Sequence, residues 1–251
     1  MSIKAVTFDL WDTVIEDDSD EVERGQRGLD SKRVTRRKLA HAAYREHADV
    51  DRRTFEVAYD VMEAAFNHVW HDQHVTWTVA ERLAVLDRGL GVSLSDPARA
   101  ELVRALEEME IGVAPRPVAH IGEAIEALAG EFELGVVSDA IYSPGRCLRR
   151  WLEMHGFLHH FGAFAFSDEI GHSKPHRDMF AAVADGLGVA IDEMLHVGDR
   201  DHNDVKGPHA LGMKAILITA SRADDRDVTT ADAVCEDPRD LARIVREVAQ
   251  A

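Results

Sequence analysis

Five short apolar runs constrain this chain more than any other feature, because four of them stop at a residue able to do chemistry or to let the backbone approach a ligand. Ala5-Val-Thr-Phe8 ends at Asp9, Leu134-Gly-Val-Val137 at Ser138, Ala163-Phe-Ala-Phe166 at Ser167, and Met194-Leu-His-Val197 at Gly198. A fifth run, Ala215 to Ile218, follows Lys214. Mostly apolar runs this short suit strands buried on both faces of a parallel sheet.

The stretches between them carry helical periodicity. Ile121, Ala124, Ile125 and Leu128 form one stripe, closed by Gly130. Ser143-Pro144 reads as a cap with a first-turn proline ahead of Cys147, Leu148, Trp151 and Leu152. Met179, Phe180, Val183 and Leu187 make a third stripe, and Asp237-Pro238 opens a last helix with Leu241, Ile244, Val245 and Val248 inward. Strand and helix therefore alternate, which predicts an α/β fold with a doubly wound, Rossmann-like parallel-sheet core.

An almost purely helical insert, residues 16–112, interrupts that alternation after the first strand. Phe55, Ala58, Tyr59, Met62 and Phe66 form one stripe, and Leu83, Leu86 and Leu90 another. The expected division is a core domain of residues 1–15 and 113–251 and a helical cap domain of residues 16–112. Placed there, the insert hangs over the carboxyl ends of the strands, where open α/β sheets bind ligands.

The net charge of −17 disfavours nucleic acid and anionic membranes as partners and leaves a small anionic molecule as the expected one, since a bound cation and local lysines set the field inside a pocket. No apolar run is long enough to span a bilayer, and the first residues lack the series of a signal peptide, so a cytoplasmic location is expected. Cys147 and Cys235 lack metal-ligand spacing and read as buried, reduced thiols.

Four positions carry chemistry. Asp9 is a carboxylate at the ligand-binding edge of the first strand, or an aspartate closing a turn. Ser138 offers a hydroxyl to a phosphoryl oxygen, or to the following turn. Lys174, in Gly171-His-Ser-Lys-Pro175, is one of only six lysines and suits the neutralisation of a phosphoryl group or a carboxylate; an ordinary surface lysine is the alternative. Beyond the fourth run, Gly198-Asp199-Arg-Asp201-His-Asn-Asp204 gathers hard oxygen ligands suited to Mg²⁺, or forms a solvated acidic turn. The segment Trp70-His71-Asp-Gln-His74-Val-Thr-Trp77 reads as a partly exposed turn with aromatic packing rather than a ligand site.

Taken in order, Asp9, Ser138, Lys174 and Asp199 resemble the four motifs of the haloacid dehalogenase superfamily, and the helical insert resembles that superfamily's first type of cap. The resemblance implies a hydrolase, most simply a phosphatase of a small phosphorylated metabolite. Asp9 would attack the substrate and form a covalent aspartyl phosphate. Mg²⁺ would be held by Asp9, the backbone carbonyl of Trp11 and Asp199, with Asp204 nearby, while Ser138 and Lys174 would orient and neutralise the phosphoryl group.

One residue departs from the pattern. Phosphatases of the superfamily keep an acid/base aspartate two positions after the nucleophile, and here Trp11 stands in its place. Asp12, His172, His202 or a cap residue could supply the proton, or the leaving group could need none. Dehalogenases of the superfamily also lack the acid, which makes a 2-haloacid dehalogenase the alternative enzyme. A phosphate-sensing or partner-binding protein without turnover is the alternative outside catalysis.

Overall fold

The structure, a computed structural model, describes residues 2–251. Its centre is a six-stranded sheet in which every pairing is parallel: β1 (Ala5–Phe8), β2 (Glu133–Ser138), β3 (Ala163–Phe166), β4 (Met194–Gly198), β5 (Lys214–Ile218) and β6 (Ala233–Cys235), in the order β3-β2-β1-β4-β5-β6. The predicted doubly wound α/β core is therefore present. β1 is central, with Phe8 level with Val136 on one side and Val197 on the other. The direction of winding reverses between β1 and β4, and that reversal opens a crevice at their carboxyl ends.

Six helices separate β1 from the rest of the core: α1 (Ser19–Gln26), α2 (Lys32–His47), α3 (Arg52–Gln73), α4 (Val79–Leu90), α5 (Asp96–Glu107) and the single turn α6 (Met109–Gly112). Their ends follow the capping rules. Asp51 accepts from the backbone amides of Arg53 and Thr54, and Thr78 and Glu81 form a reciprocal capping box that starts α4. Tyr44, Phe55, Tyr59, Met62, Leu83, Leu86 and Leu102 close a hydrophobic cluster within these helices. The chain enters and leaves them by adjacent segments, since Glu16 N donates to Arg116 O at 2.9 Å and Val118 N to Val14 O at 2.9 Å.

The core helices are α7 (Ile121–Ala129), α8 (Gly145–Met154), α9 (Ser167–Ile170), α10 (Arg177–Leu187), α11 (Gly207–Ala210) and α12 (Pro238–Gln250). Alternate strand residues face opposite ways. Val6, Phe8, Leu134, Val136, Leu195 and Val197 pack with the apolar stripes of α7, α8 and α12. Ala5, Val137 and Met194 pack with Met179, Phe180 and Val183 of α10.

Two features differ from the sequence reading. Ser143 does not cap α8: its hydroxyl donates to Glu110, and Asp168 Oδ1 receives the amide of Gly145 at 3.0 Å instead. The edge strand β6 has only three residues, Ala233-Val-Cys235, too few to show a period. Both cysteines are buried and free. Among the described residues no helix is long and apolar enough to cross a membrane.

Candidate active site

β1 and β4 end side by side, so the residues that follow them are forced together. Asp9 N donates to Val197 O at 2.9 Å, extending the ladder by one residue and fixing the Asp9 side chain at the crevice. The chain beyond Gly198 turns back as a π-helical segment, Asp201–Lys206, which returns Asp204 toward the strand ends. A side chain on Gly198 would meet Asp204 Cγ at 2.3 Å, so this close return requires glycine.

The result is a trio of buried carboxylates. Asp9, Asp199 and Asp204 offer oxygens that lie within 4.8 Å of one another. Lys174 stands between two of them, its Nζ 2.8 Å from Asp9 Oδ1 and 2.7 Å from Asp204 Oδ1. Only the second contact has the alignment of a hydrogen bond. Burial acts against the lysine charge, but Asp204, Asp9 and Asp139 outweigh it and hold the ammonium above its ordinary pKa. Burial also disfavours charge on Asp204, yet Lys174 and His196 hold its carboxyl well below the usual range.

A polar chain supports the trio from behind. His196, fully buried in β4, has its pKa pushed down mainly by burial and is therefore neutral. Its Nε2–H is assigned to donate to Asp204 Oδ1 at 3.2 Å, which leaves Nδ1 to accept from the Thr7 hydroxyl at 2.8 Å. Asp204 Oδ2 accepts from Arg200 N at 2.9 Å.

Asp199 is the least satisfied member. Both of its oxygens are buried without a hydrogen bond, and the Arg222 and Arg200 guanidiniums come no nearer than 3.6 and 3.8 Å. Burial, with Asp204 and Asp9 alongside, pushes its carboxyl up to about 8. Lone pairs without partners in a cluster of hard oxygen donors fit a divalent cation, which would draw the carboxylate back to its charged form.

Ser138 closes β2, fully buried, with its hydroxyl likewise free of any hydrogen bond. Its neighbour Asp139, not singled out from the sequence, ties three parts of the site together. Asp139 Oδ1 accepts from Lys174 N at 2.9 Å, and its carbonyl accepts from Trp11 Nε1 at 3.1 Å. Burial raises its carboxyl to about 7. The Trp11 indole is half-buried against the core and forms part of the cavity wall.

Asp201 stands apart from the trio, engaged by Thr229, Thr230 and Lys206. Asp12 takes a left-handed backbone, φ 53°, and its Oδ1 receives Asp17 N at 3.2 Å. His172 stacks on His176, with centroids 3.7 Å apart, and His202 lies beside Asn203. None of Asp12, His172 and His202 lines the cavity above Asp9.

That cavity, about 350 Å³, lies between the strand ends and the helical insert. Arg82 of α4 crosses it to the loop after β2, donating to Ile141 O at 3.1 Å and to the Tyr142 hydroxyl, and it pairs with Glu63. On a second line of contact, Val75 and His172 form an antiparallel bridge, with Ser173 N donating to His74 O at 2.9 Å and Thr76 N to Gly171 O at 3.2 Å. The segment Trp70–Trp77 thus ends α3, stacks Trp70 on Phe66, and docks on the loop that carries Lys174. Arg82 and Tyr142 were not legible as site residues, because Arg82 sits within an apolar stripe and nothing local marks what it reaches.

The family model for haloacid dehalogenase-like hydrolases matches residues 3–212. The chain belongs to that family. Among curated haloacid dehalogenase-like relatives, the glyceraldehyde 3-phosphate phosphatase of Methanopyrus kandleri is 32% identical over 125 residues, 47% of this chain and 52% of that protein. The chain therefore spans about half the length of that relative. The 5-amino-6-(5-phospho-D-ribitylamino)uracil phosphatase of Escherichia coli is 27% identical over 88% of this chain and 86% of its own. Two solved structures share the fold: a 2-haloacid dehalogenase from Pseudomonas syringae, with TM-score 0.67 and 18% identity over 98% of this chain and 99% of that one, and the HAD-hydrolase YfnB from Bacillus subtilis bound to magnesium, with TM-score 0.59 and 16% identity over the same shares.

Proposed function

We propose that this hydrolase is a Mg²⁺-dependent phosphatase of a small phosphorylated substrate, with Asp9 as the nucleophile. The observation that carries the reading is the trio Asp9, Asp199 and Asp204, drawn within 4.8 Å and bridged by Lys174. Asp9, the Trp11 carbonyl and Asp199 would hold the ion, with Asp204 alongside. When bound it supplies positive charge to the transferring phosphoryl group.

The rest is done by the chain itself. An Asp9 oxygen attacks phosphorus, and the ester oxygen leaves with the bonding pair. Water then releases phosphate and returns the Asp9 carboxylate. Lys174, pinned by Asp204 and by its backbone bond to Asp139, neutralises charge on the phosphoryl oxygens, and the free Ser138 hydroxyl donates to one of them. The helical insert, residues 16–112, acts as the cap that excludes water over the site and selects the substrate. The phosphatase names of the curated relatives support this choice of reaction.

The test is turnover of a phosphate panel with and without Mg²⁺. Chelation by EDTA is expected to abolish hydrolysis and Mg²⁺ to restore it, and Asp9→Asn is expected to leave no turnover at saturating substrate. Full activity in Asp9→Asn would remove Asp9 as nucleophile. Metal-independent halide release from a 2-haloacid would replace the reaction.

A further inference from the structure

The cavity above Asp9 has a chemical character of its own. Four aromatic rings form its wall: Trp11 after β1, Phe66 and Trp70 on α3, and Tyr142 after β2. Phe66 and Trp70, one helical turn apart, lie parallel, with an interplanar angle of 5° and centroids 6.1 Å apart. Phe66 is itself 1% exposed and backs Trp70, so the half-buried Trp11 and Trp70 are the rings that offer flat apolar surface at little entropic cost.

Three cations of the same wall are spent within it. Lys32 is buried and lies 3.0 Å from Asp18, 2.9 Å from Asp20 and 3.0 Å from Glu110. Arg36 pairs with Glu110 at 3.3 Å and lies 3.8 Å over the Tyr142 ring. Arg82 pairs with Glu63 and covers Phe66 and Tyr142 at 4.3 and 4.0 Å. Against these three cations the wall sets Asp17, Asp18, Glu63 and Glu110, with Asp20 behind Lys32. Arg200 lines the same cavity with its side chain 48% exposed and no nearer than 3.8 Å to Asp199, so it is left to meet a second anionic group on a substrate.

Next to Asp9 the wall is an indole. Trp11 Nε1 is committed to Asp139 O, and among the described residues no histidine lines the cavity. An ester oxygen leaving at this point is best served by a group that is stable as an anion. A phenolate, with a conjugate-acid pKa near ~10, is such a group, and an alkoxide is not.

We propose, on the footing of the phosphatase reading above, that the substrate is the phosphate monoester of an aromatic alcohol. Asp9 forms the bond to phosphorus as the phosphorus–aryl oxygen bond breaks, and the phenolate departs with the electron pair and takes a proton from solvent. Water then attacks phosphorus and the bond to Asp9 breaks, regenerating the carboxylate. The proton of that water leaves on the released phosphate.

The experiment compares kcat/KM, in Mg²⁺, for phenyl phosphate, phenylpropyl phosphate and acetyl phosphate. Phenyl phosphate is expected to exceed phenylpropyl phosphate by about 10² or more, the range that proton donation to a poor leaving group is worth. Trp70→Leu is expected to raise the ratio of the phenyl phosphate KM to the acetyl phosphate KM. Phenylpropyl and phenyl phosphates turned over at similar rates would overturn the proposal and leave the phosphatase reading intact. If that alkyl turnover then disappeared in Asp139→Asn, the proton would be coming from Asp139. No turnover of any ester or of acetyl phosphate would instead sink the phosphatase reading itself.

Discussion

Asp139 shows how one carboxyl can carry structure and pH dependence together. Its carboxyl is raised from the ordinary aspartate value of 3.8 to about 7, and burial is the main cause. A group raised on folding contributes stability that is full below its unfolded pKa and lost as pH rises through the folded one. Asp139→Asn keeps an oxygen for Lys174 N and removes the buried charge. In metal-free buffer, the chemical-denaturation stability of the variant relative to the parent is expected to rise between about pH 4 and about pH 7. A flat difference across that window would mean that Asp139 is not the group responsible. The residues visible from sequence alone were those that end an apolar run, Asp9 and Ser138, or that crowd just past one, Asp199 and Asp204, together with Lys174, marked by the scarcity of lysine. Asp139 sits beside Ser138 in the same motif, but its role comes from Trp11 Nε1 and Lys174 N, which arrive from distant parts of the chain.

At the level of elements, the turn after β4 decides the site. The strand must end in a residue with no Cβ because the π-helical segment brings Asp204 back against it. Asp204 cannot yield, being fully buried and held by Lys174, His196 and Arg200 N. Gly198→Ala is therefore expected to destabilise the fold by about 1–3 kcal/mol, as overpacking does, and to lower kcat more than it raises KM. Urea denaturation and steady-state kinetics read the two effects separately, and an alanine variant with parental stability would show that Asp204 can move. Sequence periodicity found β1 to β5 and the helices around them because each buries a regular stripe. It misassigned Ser143, whose hydroxyl is drawn away by Glu110, a residue 33 positions earlier in the chain. The three-residue β6 escaped it, having no room for a pattern.

Across the whole molecule, the helical insert and the sheet each have their own hydrophobic cluster, and the contacts between them are mainly polar. Arg82 is the principal clasp, with its side chain only 3% exposed and its donors spread over Glu63, Ile141 O and Tyr142. Arg82→Met keeps much of the side-chain volume and loses those donors. Hydrogen exchange is expected to quicken in α4 and in residues 139–143, while the β1 and β2 amides stay protected. Unchanged exchange at both segments would shift the clasp to other residues. The second clasp, the short ladder between residues 74–76 and 171–173, lies one residue before Lys174. An outward swing of the helices would pull on the same stretch of backbone that holds the lysine against Asp9. On the phosphatase reading, release and loss of electrostatic grip would be geared together, and the site would loosen its hold on phosphate in the act of opening.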